Sequence, residues 1–137
     1  MGRQVGHRFP TREFTVDPVR VEEYVLALGV EPEPGYRAEP GAVVPPGFFM
    51  YVTTYGAEPV HDALDFDMLR TVYGGTEIEY RHPVRVGDRL LVTPEISAVT
   101  EKDGKSGRLT FVELTTEYTR EDGTVVLVER SNTVQRS

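Results

Sequence analysis

Residues 89–134 read RLLVTPEISAVTEKDGKSGRLTFVELTTEYTREDGTVVLVERSNTV, and this stretch decides the fold. Apolar and polar residues alternate along much of it, which is typical of strands with one buried face. Its two polar breaks, residues 102–107 and 120–123, each contain Asp-Gly, a hairpin signal. The pattern predicts three consecutive antiparallel strands, at residues 89–101, 108–119 and 124–134.

The chain before this meander predicts two shorter strands. Residues 76–82 alternate in polarity, with Ile78 and Tyr80 on one face, and residues 9–14 form a short edge strand. Between them we expect a first helix at residues 18–28. Asp17 can cap its free N–H groups, Pro18 is tolerated in its first turn, and Gly29 suits its end. Its buried face is predicted to hold Val21, Tyr24, Val25 and Leu28.

The middle of the chain is the least regular part. Residues 30–47 hold five prolines and three glycines, which block helix and central strand alike, so we expect a long loop there. Residues 48–55 are apolar on most sides and predict a short buried helix. Residues 58–70 are expected to connect this helix to the sheet.

These elements predict an α+β fold in which a curved antiparallel sheet wraps around a central helix, the hot-dog shape. The length of 137 residues suits one domain, residues 1–137. An open edge strand invites pairing with a second chain, so we expect a dimer.

Composition narrows the function classes. The net charge of -7 argues against nucleic acid and anionic membranes as partners. The absence of cysteine excludes disulfides, a thiolate zinc site and a cysteine nucleophile. Residues 1–10 lack the apolar core of a secretion signal, and no run reaches the ~20 apolar residues of a membrane span. We therefore expect a cytoplasmic protein.

Four segments, in order along the chain, carry a family resemblance. They are VPPGF at residues 44–48, YRHPVRVGD at 80–88, EKDGKSGRLTFV at 101–112 and VERS at 128–131. The set resembles MaoC-like dehydratases of the hot-dog fold, and most of all their N-terminal, often non-catalytic half or subunit. The resemblance implies (R)-specific hydration or dehydration of acyl thioesters on coenzyme A or acyl carrier protein. We expect neither a cofactor nor a metal.

In catalytic members of that family, a loop after the first helix carries Gly-Asp-x-Asn-Pro-x-His. If Val30 is one inserted residue, Glu31 falls at the Asp position and Glu33 at the Asn position, while Tyr36 replaces the His. Without the insertion, Val30 replaces the Asp. A phenol titrates near 10, so Tyr36 is a poor base at neutral pH. Glu31 and Tyr36 are the catalytic candidates, and the alternative reading is a solvated acidic loop.

The resemblance also implies a substrate site at the central helix. Gly47 would let a thioester approach closely, and N–H groups at the helix start would polarise its carbonyl oxygen. The predicted substrate-binding residues are Glu33, Pro46, Gly47, Phe48, Phe49, Tyr51 and Val52.

Other polar groups have simpler explanations. His61 with Asp62, Asp65 and Asp67 suits a charged connector better than a metal site, although His61 is the best alternative imidazole. His82 is expected to be structural at a strand end. An arginine cluster at one turn could bind a phosphate but fits a solvated strand end better; it comprises Arg81, Arg85 and Arg89.

Three functions fit this sequence. The first is a hydratase or dehydratase subunit, in a homodimer or heterodimer of hot-dog chains. The second is a non-catalytic partner that binds substrate and stabilises a catalytic chain. The third is a repurposed hot-dog enzyme, such as a cyclase or isomerase.

Overall fold

The computed structural model describes residues 5–29, 40–45, 47–49, 68–105 and 107–136. Within them lie five strands, one α-helix and one short 3-10 helix. In chain order these are β1 (Arg12–Thr15), α1 (Pro18–Ala27), the 3-10 helix (Met68–Arg70), β2 (Thr71–Tyr80), β3 (Arg89–Gly104), β4 (Gly107–Thr119) and β5 (Val125–Arg136). The five predicted strands and the first helix are confirmed, but β1 begins three residues later than expected and β2 five residues earlier.

The helix α1 forms for the reasons that its sequence suggests. The Asp17 carboxylate accepts a hydrogen bond from the Val19 N–H at 2.8 Å, and Gly29 has a φ of 69° just past the end. Val21 and Val25 are buried and hold the helix against the sheet. The expectation for Leu28 was wrong, because the helix ends at Ala27 and the Leu28 side chain is 54% exposed.

The five strands form one antiparallel sheet in the order β1-β3-β4-β5-β2. The meander of β3, β4 and β5 is confirmed. It does not extend back to β2, which pairs with β5 instead of with β3. The reason is the connection at residues 81–88, which packs Val84 and Val86 into the core. Its backbone bonds to the segment at residues 40–45, with Val44 N–H donating to the Val84 carbonyl at 2.8 Å.

The two hairpins of the meander differ in how well their sequence predicts them. The turn after β4 forms where expected, and Asp122 there accepts a hydrogen bond from the Thr124 N–H at 2.8 Å. The turn after β3 is tighter than expected, because pairing continues to Gly104 and Gly107. The paired ends of β3 and β4, residues 101–104 and 107–110, are called here the β3–β4 ribbon. Lys102 and Asp103 are exposed there, so this extra pairing does not bury their side chains.

The core lies on one face of the sheet, called here the inner face. Its larger cluster joins α1 and the strands to two phenylalanines, Phe48 and Phe49, which are 0% and 1% exposed. A smaller cluster of Phe9, Ile96, Val112 and Leu114 continues the core toward the other end of the strands. Phe48 and Phe49 begin the predicted central helix (residues 48–55, called here the central segment), and these two residues pack on the inner face.

Candidate functional site

The start of the predicted central helix lies on the inner face. Phe48 and Phe49 are helical, and the Phe48 N–H donates to the Pro45 carbonyl at 3.0 Å. The two rings meet edge to face with centroids 5.7 Å apart. The prediction is confirmed for these two residues, and the rest of the helix, residues 50–55, lies outside the described residues.

Gly47 is closely approached by a side chain of the chain itself. A β-carbon at this position would collide with the Tyr24 hydroxyl, which reaches it from α1. The Tyr24 ring packs edge-on against Phe48, at 5.9 Å between centroids. Among the described residues, no backbone carbonyl accepts a hydrogen bond from the Gly47 N–H. The Gly47 backbone and the Tyr24 hydroxyl thus lie together just before Phe48.

An open groove of about 330 Å³ lies between residues 43–44 and the segment at residues 80–84. Its walls are mainly apolar, and Tyr80 at the end of β2 belongs to both the groove and the inner face. The Tyr80 ring contacts Phe49 with centroids 6.1 Å apart. The lining residues are Val43, Val44, Tyr80, Arg81, His82, Pro83 and Val84. Such a groove suits an apolar chain with a polar end.

A buried carboxyl group, that of Glu129, lies close to Tyr80 on the inner face. Glu129 of β5 is 5% exposed and pairs across the sheet with Thr116 on one side and Ile78 on the other. The Tyr118 hydroxyl is its hydrogen-bond partner, whereas Glu129 Oε2 has no partner within the described residues. Burial raises the pKa of Glu129 to about 7, and the hydrogen bond from Tyr118 opposes that rise.

The neighbouring tyrosines keep their protons. Burial, then the nearby Tyr24 and Glu129, raise the pKa of Tyr80 to about 12. Burial and Glu129 raise the pKa of Tyr118 as well. Both phenols therefore act as hydrogen-bond donors near neutral pH.

The three arginines of the strand-end turns each have an acceptor. Arg81 Nε lies 3.3 Å from a Glu79 carboxylate oxygen, and Arg85 donates to the Gly41 carbonyl at 3.0 Å. Arg89 pairs with Glu13 at 2.6 Å. This arrangement favours solvated strand ends over a shared phosphate site. His82 is exposed at the groove, two residues after β2 ends.

Several predicted residues lie outside the described residues. They are Glu31, Glu33, Tyr36, Pro46, Tyr51, Val52, His61, Asp62, Asp65 and Asp67. Within the described ranges, no group of three His, Asp or Glu side chains could hold a metal ion. No helix in those ranges is long and apolar enough to cross a membrane.

Sequence reasoning missed Tyr24, Tyr118 and Glu129 as site candidates. A signal for Glu129 existed, since it is the first charged residue after the apolar run at residues 125–128. It also has the same strand parity as the buried Leu127, which places it on the same face. Tyr24 had no such signal, because its approach to Gly47 joins distant parts of the chain.

The topology and known structures together define the class of protein. The chain is similar to the HadBC complex, a 3R-hydroxyacyl-ACP dehydratase of Mycobacterium tuberculosis, with a TM-score of 0.76 and 21% identity over 95% of this chain and 96% of that one. It is also similar to a MaoC-like dehydratase of Rhodospirillum rubrum, with a TM-score of 0.70 and 21% identity over 97% and 92% of the chains. The fold is the hot-dog fold of MaoC-like dehydratases.

Sequence comparison then gives the family. The family described as "FAS1-like, dehydratase domain region" matches residues 3–129. A UPF0336 protein of Streptomyces griseus is 31% identical over 144 aligned positions, which cover 97% of this chain and 93% of that protein. The chain therefore belongs to the FAS1-like dehydratase-region family.

Proposed function

We propose that the chain is a subunit of a hydratase or dehydratase that acts on enoyl and (R)-3-hydroxyacyl thioesters of coenzyme A or acyl carrier protein. The observation that carries this proposal is the family match over residues 3–129, which spans the groove and the start of the central segment. The similarity to a 3R-hydroxyacyl-ACP dehydratase supports the same substrate class. In this proposal the chain works as a single hot-dog domain in the cytoplasm.

The chemistry requires a polarised thioester carbonyl and groups that move protons. The Gly47 N–H would donate to the carbonyl oxygen, where negative charge develops as water adds to the double bond. The substrate would be surrounded by Pro46, Phe48, Phe49, Tyr51, Val52 and Glu33.

Glu31 would take one proton from water as the water oxygen bonds to C3, and would then return a proton to C2, while Tyr36 would orient that water. Alternatively, a partner chain would supply an Asp and a His for these steps.

A second hot-dog chain is part of this proposal. Strand β2 lies at one end of the sheet, and among the described residues it pairs only with β5. Its Val72 and Tyr73 side chains are 54% and 59% exposed. Pairing with another sheet would cover them and the strand edge. The HadBC complex supports a partner that is a different chain.

One observation favours the non-catalytic alternative. The family's imidazole position is filled by Tyr36, so the chain lacks the usual base on its own loop. In that case it would bind the acyl group and stabilise a partner that carries the Asp and His. A repurposed cyclase or isomerase is the remaining alternative.

The test is the hydration of crotonyl-CoA by the purified chain, alone and together with a MaoC-like chain encoded beside it. Activity of the chain alone that falls at least about 100-fold in Glu31→Gln or Tyr36→Phe supports catalysis by these residues. The exposed Glu23 on α1 provides the control, since Glu23→Gln is expected to leave activity unchanged.

Activity that appears only with the neighbouring chain supports the non-catalytic role. If the chain neither binds nor converts any acyl thioester, alone or with the neighbouring chain, the proposal is wrong. That result would favour the alternative of a cyclase or isomerase.

A further inference from the structure

In the described part of the chain, the inner face holds one buried acid, Glu129, among mainly apolar residues and two buried threonines, Thr116 and Thr133. Tyr118 and Tyr80 flank Leu127 across the sheet, and Glu129 lies two residues further along β5 on the same face. The Phe49 ring packs on both tyrosine rings, with centroids 5.4 Å and 6.1 Å away. Glu129 thus lies deeper in the sheet than the tyrosine that borders the groove.

Stability does not explain this acid. A buried polar atom without a hydrogen-bond partner costs about 1–3 kcal/mol, and Glu129 Oε2 is such an atom within the described residues. No Lys or Arg side chain pairs with Glu129 there. An apolar side chain, like those of the preceding residues 126–128, would pack without this cost. Ionisable groups held in such surroundings are concentrated at functional sites.

The chemistry of the group restricts what it can bind. A protonated carboxyl group offers one O–H donor and further acceptor capacity, so it complements a hydroxyl or a carbonyl oxygen. Tyr118 engages the carboxyl group and leaves Oε2 available. A ligand carboxylate fits poorly, since its charge would also have to be buried.

The groove gives a direction from which such a ligand can come. Val44 and Val84 in its wall are 5% and 3% exposed, so the groove reaches the core itself. Tyr80 lines the groove, and its cross-strand neighbour Leu127 lies two residues from Glu129 on the same face of the sheet. We propose that Glu129 Oε2 binds a hydroxyl or carbonyl oxygen carried within the acyl chain of the substrate, which enters past Tyr80. The inference rests on the proposed function and adds a substrate class, acyl thioesters with a further oxygen along the chain.

Binding of a matched set of thioesters tests this inference. Calorimetry would compare octanoyl-CoA with the four isomeric hydroxyoctanoyl-CoA derivatives that bear one hydroxyl at C5, C6, C7 or C8. The protein would be the full-length chain in the assembly in which it purifies. We expect at least one isomer to bind about tenfold tighter than octanoyl-CoA, the effect of one added buried hydrogen bond. Glu129→Met should abolish this preference and leave octanoyl-CoA binding within about threefold.

Three further variants make the result specific. Glu129→Gln should keep most of the preference, because an amide also offers a donor and an acceptor. Tyr118→Phe should lower it at least about threefold, by releasing the carboxyl group. Glu117→Gln is the control, since Glu117 is exposed on the neighbouring strand β4.

The outcomes separate the two proposals. Binding of octanoyl-CoA with no preferred isomer overturns the recognition role of Glu129 and leaves the proposed function intact. An undiminished preference in Glu129→Met, or in Tyr118→Phe if the Met variant does not fold, overturns it equally. If no acyl-CoA binds, the proposed function fails and this inference fails with it.

Discussion

Two glutamates on neighbouring strands lie on opposite faces of the same sheet and differ in how their oxygens are satisfied. Glu113 of β4 accepts a hydrogen bond from the Ser97 hydroxyl at 2.6 Å, and Thr115 donates to Ser97 at 2.7 Å. Glu129 of β5 is more deeply buried and keeps one oxygen without a partner in the described part of the chain. The half-buried Glu113 carboxylate thus binds hydroxyl groups of the sheet itself, whereas the buried Glu129 has the Tyr118 hydroxyl on one oxygen and keeps the other for a ligand.

Removing the Phe49 ring, which packs on the inner face, should have the largest effect on stability. Phe49 is 1% exposed and contacts both tyrosines that border Glu129. We expect Phe49→Ala to lower the free energy of unfolding by about 3–5 kcal/mol, because it leaves a cavity in the core. Urea denaturation measures this loss. Leu69→Ala, at a side chain 92% exposed, should change stability by less than about 0.5 kcal/mol. Equal effects would show that Phe49 does not cover the inner face.

The next largest effect is expected in the pH dependence of stability, which should differ between Glu129 and Glu113. The pKa of Glu129 is about 7 in the folded chain and near its ordinary value of 4.5 when unfolded. The unfolded chain therefore releases this proton first as pH rises, so ionisation of Glu129 destabilises the fold between pH 4.5 and 7 and the loss levels off above 7. From pH 5 to pH 8 this contribution is roughly 2–3 kcal/mol.

Glu129→Gln should remove that contribution, so its stability relative to the original chain should rise from pH 5 to pH 8. Urea denaturation at both pH values measures the difference. Glu113→Gln is the matched control and should not change in this way. A pH profile identical in the original chain and in Glu129→Gln would mean that Glu129 is ionised without penalty.

The outer-face network should contribute less. Ser97→Ala removes the donor to Glu113 and is expected to destabilise the chain by about 1 kcal/mol, the usual value of one hydrogen bond. Ionisation of Glu129 between pH 5 and pH 8 should not change this loss, because Ser97 and Glu129 lie on opposite faces of the sheet. Chemical denaturation at both pH values is the measurement, and a loss confined to pH 8 would link the two faces.

The smallest effect is expected at the exposed end of the β3–β4 ribbon. Arg108 and Glu101 form an ion pair at 3.1 Å with both side chains about half exposed or more. Glu101→Gln should cost less than about 0.5 kcal/mol, and 1 M salt should remove the difference. Thermal denaturation at two salt concentrations would detect a larger effect, which would show that the ribbon is tied to the core.

The sequence predicts the parts of the fold that depend on local patterns. The cap at Asp17, the end of α1 at Gly29 and the hairpin at Asp122 all form through contacts between near neighbours. The pairing of β2 with β5 could not be read in this way. Either end of the meander could accept a further strand, and the choice depends on how residues 81–88 pack.

The site was predictable only where apolar residues mark it. Phe48 and Phe49 stand out as an apolar pair after a proline-rich loop, and both lie in the core. Glu129 follows an apolar run, residues 125–128, in which polarity does not alternate. Its face could therefore be assigned only by counting from Leu127 once that residue is known to be buried. The contact of Tyr24 with Gly47 depends on the tertiary packing of α1, which no local pattern specifies.

The titration of the Glu129 carboxyl group tests the central claim most directly. Carbon-13 NMR of side-chain carboxyl groups, with Glu129→Gln to assign the resonance, would follow it from pH 3 to pH 9. A midpoint near 7 is expected, with the group still protonated at pH 5. A midpoint near 4.5 would contradict the account, because it would mean that water or a cation reaches the carboxyl group on the inner face.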